Sequence, residues 1–182
     1  MRRWRCSTLL FVVLALSGCA HVRTSAMLPL PMPLVTDGPA RTVAIRVDRK
    51  TESRGIPGVS PPLAMWSDAS FLAAIAEAAV RSRLFTRVVA DGEADYTLGV
   101  TLLNFTQPAM GFNMTVTMAA EWTVLRREGD SLLGREFVPS SCHKSVGDAF
   151  AGATRLRLAT ECAARENIAE GLRRIDRLLD QR

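Results

Sequence analysis

The stretch FNMTVTMAAEWTV, residues 112–124, decides how this chain folds. Phe112, Met114, Val116, Met118, Ala120, Trp122 and Val124 fall on one side of an extended backbone. Asn113, Thr115, Thr117, Ala119, Glu121 and Thr123 fall on the other. Successive side chains of a strand point to opposite faces, so the segment is a strand with one apolar and one polar face. A sheet covered on a single side, usually antiparallel, wants strands of that kind.

The same period recurs on both sides of it. Tyr96, Leu98, Val100 and Leu102 alternate with Thr97, Gly99 and Thr101, and a turn over Pro108–Gly111 leads from this strand into the long one. Downstream, REGDS (127–131) is a turn and LLGREFVPS (132–140) a further strand, in which Pro139 fits best at an edge or an end because it donates no ladder bond. Upstream, RTVAIRV (41–47) alternates through Val43, Ile45 and Val47, and TRVVA (86–90) is a short strand. Between those two, Ser67 is placed to cap a helix over SDASFLAAIAEAAVRSRLF (67–85), apolar at Phe71, Leu72, Ile75, Ala76, Ala79, Val80 and Leu84. A second long helix is expected over residues 148–180, opened by Asp148 and apolar at Phe150, Ala153, Leu156, Ala163, Ile168, Leu172, Ile175 and Leu179. Arg157, Arg165 and Arg173 lie on its other, solvated face. The order β-α-β-β-β-β-α implies an α+β fold: a two-layer sandwich with a mixed, mainly antiparallel sheet of four to five strands and two helices on one face.

The N-terminus speaks about location. MRRWRCST carries three arginines and LLFVVLALSG is an apolar run of ten, whereas spanning a bilayer takes about 20 residues. A basic start, an apolar stretch and small residues make a secretory signal peptide. Leu16-Ser17-Gly18-Cys19 resembles the lipobox of bacterial lipoproteins. That resemblance implies a signal peptide over 1–18, acylation of Cys19 and a chain held to a membrane by lipid without spanning it. With Ala20 where aspartate would favour the inner membrane, it implies the outer membrane, facing the periplasm. Loss of residues 1–18 removes Arg2, Arg3 and Arg5 and no acid, so the net charge falls from +5 to +2. No basic block remains to meet a nucleic acid.

Residues 19–40 hold Pro29, Pro31, Pro33 and Pro39 and read as an extended, lipidated tether, with 41–182 as a single periplasmic domain. Leu28, Leu30, Met32 and Leu34 are apolar at alternate positions, more than a spacer needs, so part of the tether is a candidate for docking. Residues 48–66 form a long loop in which Ile56, Val59, Leu63, Met65 and Trp66 sit among prolines and glycines. They either form a partner-binding loop, or Leu63 and Trp66 fold back to cap the first helix. Cys142 and Cys162 are the two thiols left in the mature chain, and an oxidising compartment favours a bridge. Geometry resists it if the last helix starts at Asp148, and allows it if a later start near Thr154 lets the chain run out and back.

Catalytic patterns are missing from the sequence. Cys142 and His143 are neighbours on a strand and point to opposite faces, and no phosphate loop, nucleophile elbow, metal spacing or cofactor motif is present. Asp91, Glu93 and Asp95 read as a solvated turn, and Met114 and Met118 as core rather than copper ligands. With Leu84, Phe85 and Val88 ending the first helix, and Ala94, Asp95 and Tyr96 opening a strand, the chain resembles a group of small Gram-negative outer-membrane lipoproteins. The group includes lipopolysaccharide-assembly lipoproteins and the auxiliary lipoproteins of lipid-transporting ABC systems. The resemblance implies a non-enzymatic accessory or docking component of an envelope transport or assembly complex. The alternative is a periplasmic module that binds a lipid or glycan between helices and sheet.

Overall fold

The alternating stretch is the central strand of the long antiparallel part of the sheet. In the computed structural model, which describes residues 21–29, 41–50, 67–90, 92–108, 110–127 and 131–180, the strands are β1 (Thr42–Arg49), β2 (Arg87–Val88), β3 (Tyr96–Thr106), β4 (Met114–Arg126) and β5 (Ser131–Lys144). The helices are α1 (Asp68–Arg81) and α2 (Gly152–Asp180). The sheet runs β2-β1-β3-β4-β5, with β1 parallel to both β2 and β3 and the rest antiparallel. The fold is therefore the α+β sandwich expected, with a mixed sheet of five strands. Its chain order is not its spatial order, because β3 pairs with β1 rather than with β2.

On β4 the apolar side is the buried side: Met114, Val116, Met118, Ala120, Trp122 and Val124 all lie in the core. On β3 the pairing with β4 shifts by one residue between Leu102 and Asn104. Strict alternation after Leu102 would turn Asn104 inward. The bulge moves Phe105 into the core and leaves Asn104 exposed, since a one-residue slip exchanges the two faces. Strand β5 is longer than expected and follows β4 from Ser131 to Lys144, with Pro139 opposite Ala119. It is an edge strand, where a residue without an N–H is tolerated.

Helix α1 begins as expected, with the Ser67 hydroxyl accepting the Ser70 N–H at 2.9 Å. It stops four residues short of Phe85. The Ser82 N–H still bonds to the Ala78 carbonyl, and Arg83 then turns left-handed at φ 61°. That turn drops Leu84 and Phe85 into the core as separate anchors. The apolar stripe is also narrower than the sequence suggests: Phe71, Ala74, Ile75, Ala78 and Ala79 are buried, whereas Leu72 and Val80 face outward.

Asp95 is exposed, as a solvated turn residue should be, and it also has a structural task. Its carboxylate accepts the Thr42 N–H and the Thr42 hydroxyl, both at 2.8 Å, and its own N–H donates back to Thr42 Oγ1 at 3.0 Å. This reciprocal pair sets the register where β1 and β3 start, and the bonds from Thr42 hold the Asp95 carboxyl below its ordinary pKa.

Helix α2 covers β4 and β5. Trp122 is fully buried beneath it, its indole N–H donating to Asn167 Oδ1 at 3.1 Å, while Asn167 Nδ2 donates to the Val138 carbonyl at 2.8 Å. Three polar groups are thus satisfied inside an apolar layer, and they fix the helix above two strands at once. Gly171, one helical turn further on, lets the backbone close onto the indole: a Cβ there would lie 2.3 Å from Trp122 Cε2.

Candidate functional site

Of the site residues read from the sequence, Cys19 lies outside the described residues. So does the loop carrying Ile56, Val59, Leu63, Met65 and Trp66. Two other regions carry the functional geometry: the docked N-terminal segment and one end of the sheet.

Residues 24–27 make a single 3-10 turn that packs against α1 and α2. Met27 is fully buried, Val22 joins it in the core and Leu28 packs against them. The Arg23 N–H donates to Glu161 Oε1 at 3.0 Å, and Arg157 Nη1 reaches both oxygens of the same carboxylate at 2.9 Å. Glu161 is itself buried, so this charge is paired rather than stranded. Residues 21–29 of the expected tether, part of which is a candidate for docking, therefore belong to the folded unit. Arg157, expected on a solvated face, is the counter-ion of a buried acid.

Cys142 and Cys162 are joined by a disulfide with Cα atoms 5.8 Å apart. The reach is possible because residues 145–151 overshoot the end of β5 before α2 starts at Gly152 and runs back over the strand. Asp148, expected to open the helix, instead closes this excursion: its carboxylate accepts the Ser145 N–H at 2.8 Å and the Lys144 ammonium at 3.2 Å. Phe150 accordingly precedes the helix and lies outside its apolar face. Glu166 lies near the bridge, 3.7 Å from Cys162 Sγ. Both sulfurs are bonded to each other, so neither is the thiolate that a metal or a nucleophilic mechanism needs. His143 points to the opposite, exposed face, where Nδ1 sits 3.0 Å from Thr115 Oγ1.

The end of the sheet where β3 stops, β4 starts, β5 stops and α2 starts holds two turns side by side, which include residues 107–108 with 110–113 and residues 145–151. One guanidinium ties them together. Arg155, 5 % exposed, donates through Nη1 to the carbonyls of Ala149 at 2.8 Å and Phe150 at 2.6 Å, and through Nη2 to the Gly111 carbonyl at 3.1 Å. Gln107 anchors the first turn from its other side, donating to Thr160 Oγ1 on α2 at 2.9 Å. Gly111, at φ 146°, takes a backbone conformation that a side chain would strain. Met110, Phe112 and Phe150 project from these fixed turns and are 83 %, 81 % and 94 % exposed. Sequence reasoning placed Phe112 and Phe150 in the core by periodicity. Each sits just outside its strand or helix, where period no longer determines direction.

Phe71, Ile75, Met118, Trp122, Ile168 and Leu172 are fully buried between sheet and helices. Among the described residues, no helix is long and apolar enough to cross a membrane.

No family model matches the chain, and no curated protein matches it. Solved structures do. A Xanthomonas campestris protein of the family-model DUF330 is 15 % identical with a TM-score of 0.59, the match covering 85 % of this chain and 92 % of that one. A hypothetical protein from Chlamydia trachomatis is 14 % identical with a TM-score of 0.53, covering 79 % of this chain and all of that one. At that identity the likeness is one of fold. A minor lipoprotein from Acinetobacter baumannii is also similar, with a TM-score of 0.47 and 9 % identity over 76 % of this chain and 94 % of that one.

Proposed function

We propose that the protein is an envelope lipoprotein, held by acylated Cys19 to the periplasmic face of the outer membrane. There it serves as an accessory or docking component of a transport or assembly system and performs no chemistry of its own. The observation that carries the reading is the Leu16-Ser17-Gly18-Cys19 lipobox two residues upstream of a segment packed into the domain. A disulfide between β5 and α2 supports an oxidising compartment. The outward placement of His143 and the bonding of Cys142 into that bridge support a role without nucleophilic catalysis.

Expression of the full chain with Cys19→Ala tests the anchor. The variant should accumulate as an unprocessed precursor, and maturation to the wild-type mass would refute it. In-cell crosslinking of the wild-type lipoprotein should recover an envelope transport or assembly component, and a chain that crosslinks to no protein would overturn the docking role. His143→Ala should leave the cellular phenotype intact at normal protein level, and its loss would refute the non-enzymatic reading.

A further inference from the structure

We infer that the end of the sheet bearing Met110, Phe112 and Phe150 is a second membrane contact, seated in the bilayer interface beside the lipid on Cys19. The inference rests on the proposed acylation of Cys19 and adds to it an orientation.

Four observations lead there. First, single exposed apolar side chains are ordinary, but three large ones on two turns joined by one guanidinium make a patch, and exposed apolar patches mark contact surfaces. Second, the fourteen residues 107–113 and 145–151 contain one charge, Asp148, and Lys144 neutralises it. A surface that enters the apolar edge of a bilayer needs its charges paired with one another or with backbone carbonyls, and Arg155, the buried cation at this end, is bonded to carbonyls. Third, polar backbone groups entering such a medium need partners, and Arg155 bonds three carbonyls of these very turns. That clamp also holds the aromatic side chains outward. Phenylalanine is among the residues that interfacial elements bury at the headgroup boundary.

The fourth observation is the length of the leash. Cys19 is four residues from Arg23, a span of at most about 14 Å when extended. The Arg23 N–H is fixed to Glu161, nine residues into α2 and so about 14 Å along the axis from the helix start. Residues 21–23 are themselves placed on the fold, so the free leash from His21 to Cys19 is about 7 Å. Glu161 lies nineteen residues, about 28 Å, from the far end of the helix, so an acyl chain on Cys19 holds the domain close to the bilayer and nearer to the apolar end. A protein partner would fit the patch as well by exposure alone. The short leash favours the bilayer.

The test uses the full chain, purified as the acylated form with its mass verified, in vesicles of phosphatidylethanolamine and phosphatidylglycerol containing brominated lipid. Phe112→Trp and Phe150→Trp should each lose several-fold more of the added fluorescence to bromine than Glu93→Trp, whose residue lies in the turn before β3. Equal quenching of all three variants on a chain of verified acylation overturns the membrane contact while leaving the anchor standing. Shielding of Phe112→Trp from acrylamide without quenching by bromolipid also overturns it and assigns the patch to a protein. Unacylated chain lacking the added mass refutes the anchor, and the Cys19→Ser chain then tests the patch alone: preferential bromolipid quenching supports it, and equal quenching overturns it.

Discussion

Gly171→Ala sets two forces against each other on a single methyl group. In an exposed helix interior, alanine is better than glycine by about 1 kcal/mol because it loses less backbone freedom. Here the new Cβ would meet Trp122 at 2.3, 2.5 and 2.6 Å, against three atoms of an indole that is fully buried and hydrogen-bonded to Asn167. Real Cβ contacts do not occur at such distances, so helix and indole must part. The ring cannot turn away without breaking its bond to Asn167. Overpacking of this kind costs about 1–3 kcal/mol. With three contacts on a pinned ring the upper figure applies, leaving a net loss of about 2 kcal/mol after the helix gain. For a chain of this size that lowers the melting midpoint by about 4–8 °C. Gly152→Ala on the same helix is the control, since its Cβ would meet nothing nearer than 3.6 Å. Thermal unfolding followed by far-ultraviolet circular dichroism should show Gly171→Ala falling and Gly152→Ala holding or rising. A Gly171→Ala protein as stable as the wild type would refute the claim that this glycine sets the distance between helix and sheet.

Removing the disulfide by Cys162→Ser should cost about 3 kcal/mol in urea unfolding, from the chain entropy of a loop of about 20 residues, and the untreated wild type should take up no alkylating reagent at Cys142 or Cys162. Met27→Ala should cost about 2–4 kcal/mol, the usual loss for a buried methionine, and an unchanged urea midpoint would mean that residues 21–29 do not belong to the folded unit. Asp176, 9 % exposed, has its carboxyl pKa raised, chiefly by burial and further by Asp180, with Arg41 opposing. Between its unfolded and its raised folded pKa the native state binds more protons, so this group adds stability as pH falls from neutrality through the folded value. Asp176→Asn should lose that acid-side gain and be at least as stable at pH 7. A wild-type pH slope in Asp176→Asn would refute the assignment.

The sequence by itself determined which residues of β4 face inward, because the period of apolar side chains reports direction relative to a residue's own backbone. The inward set of β4, the Ser67 cap and the two-layer α+β class were legible for that reason. Pro139 likewise spoke for an edge, since a missing donor is a property of the residue alone. What depends on a second segment was not legible. The insertion of β1 between β2 and β3, the bulge that exchanges Asn104 for Phe105 and the overshoot that brings Cys142 to Cys162 are long-range pairings, and their partners lie far apart in sequence. Phe112 and Phe150 lie two residues outside regular structure, where periodicity stops carrying information, and Arg155 acquired its role only when two distant turns met at its guanidinium. The packing of residues 21–29 onto both helices was likewise a tertiary outcome, since the alternating leucines hinted at a docked tether without naming a surface. The proposed lipobox stands apart: Leu16 to Cys19 are contiguous in the chain, so the proposal of acylation draws on no tertiary contact.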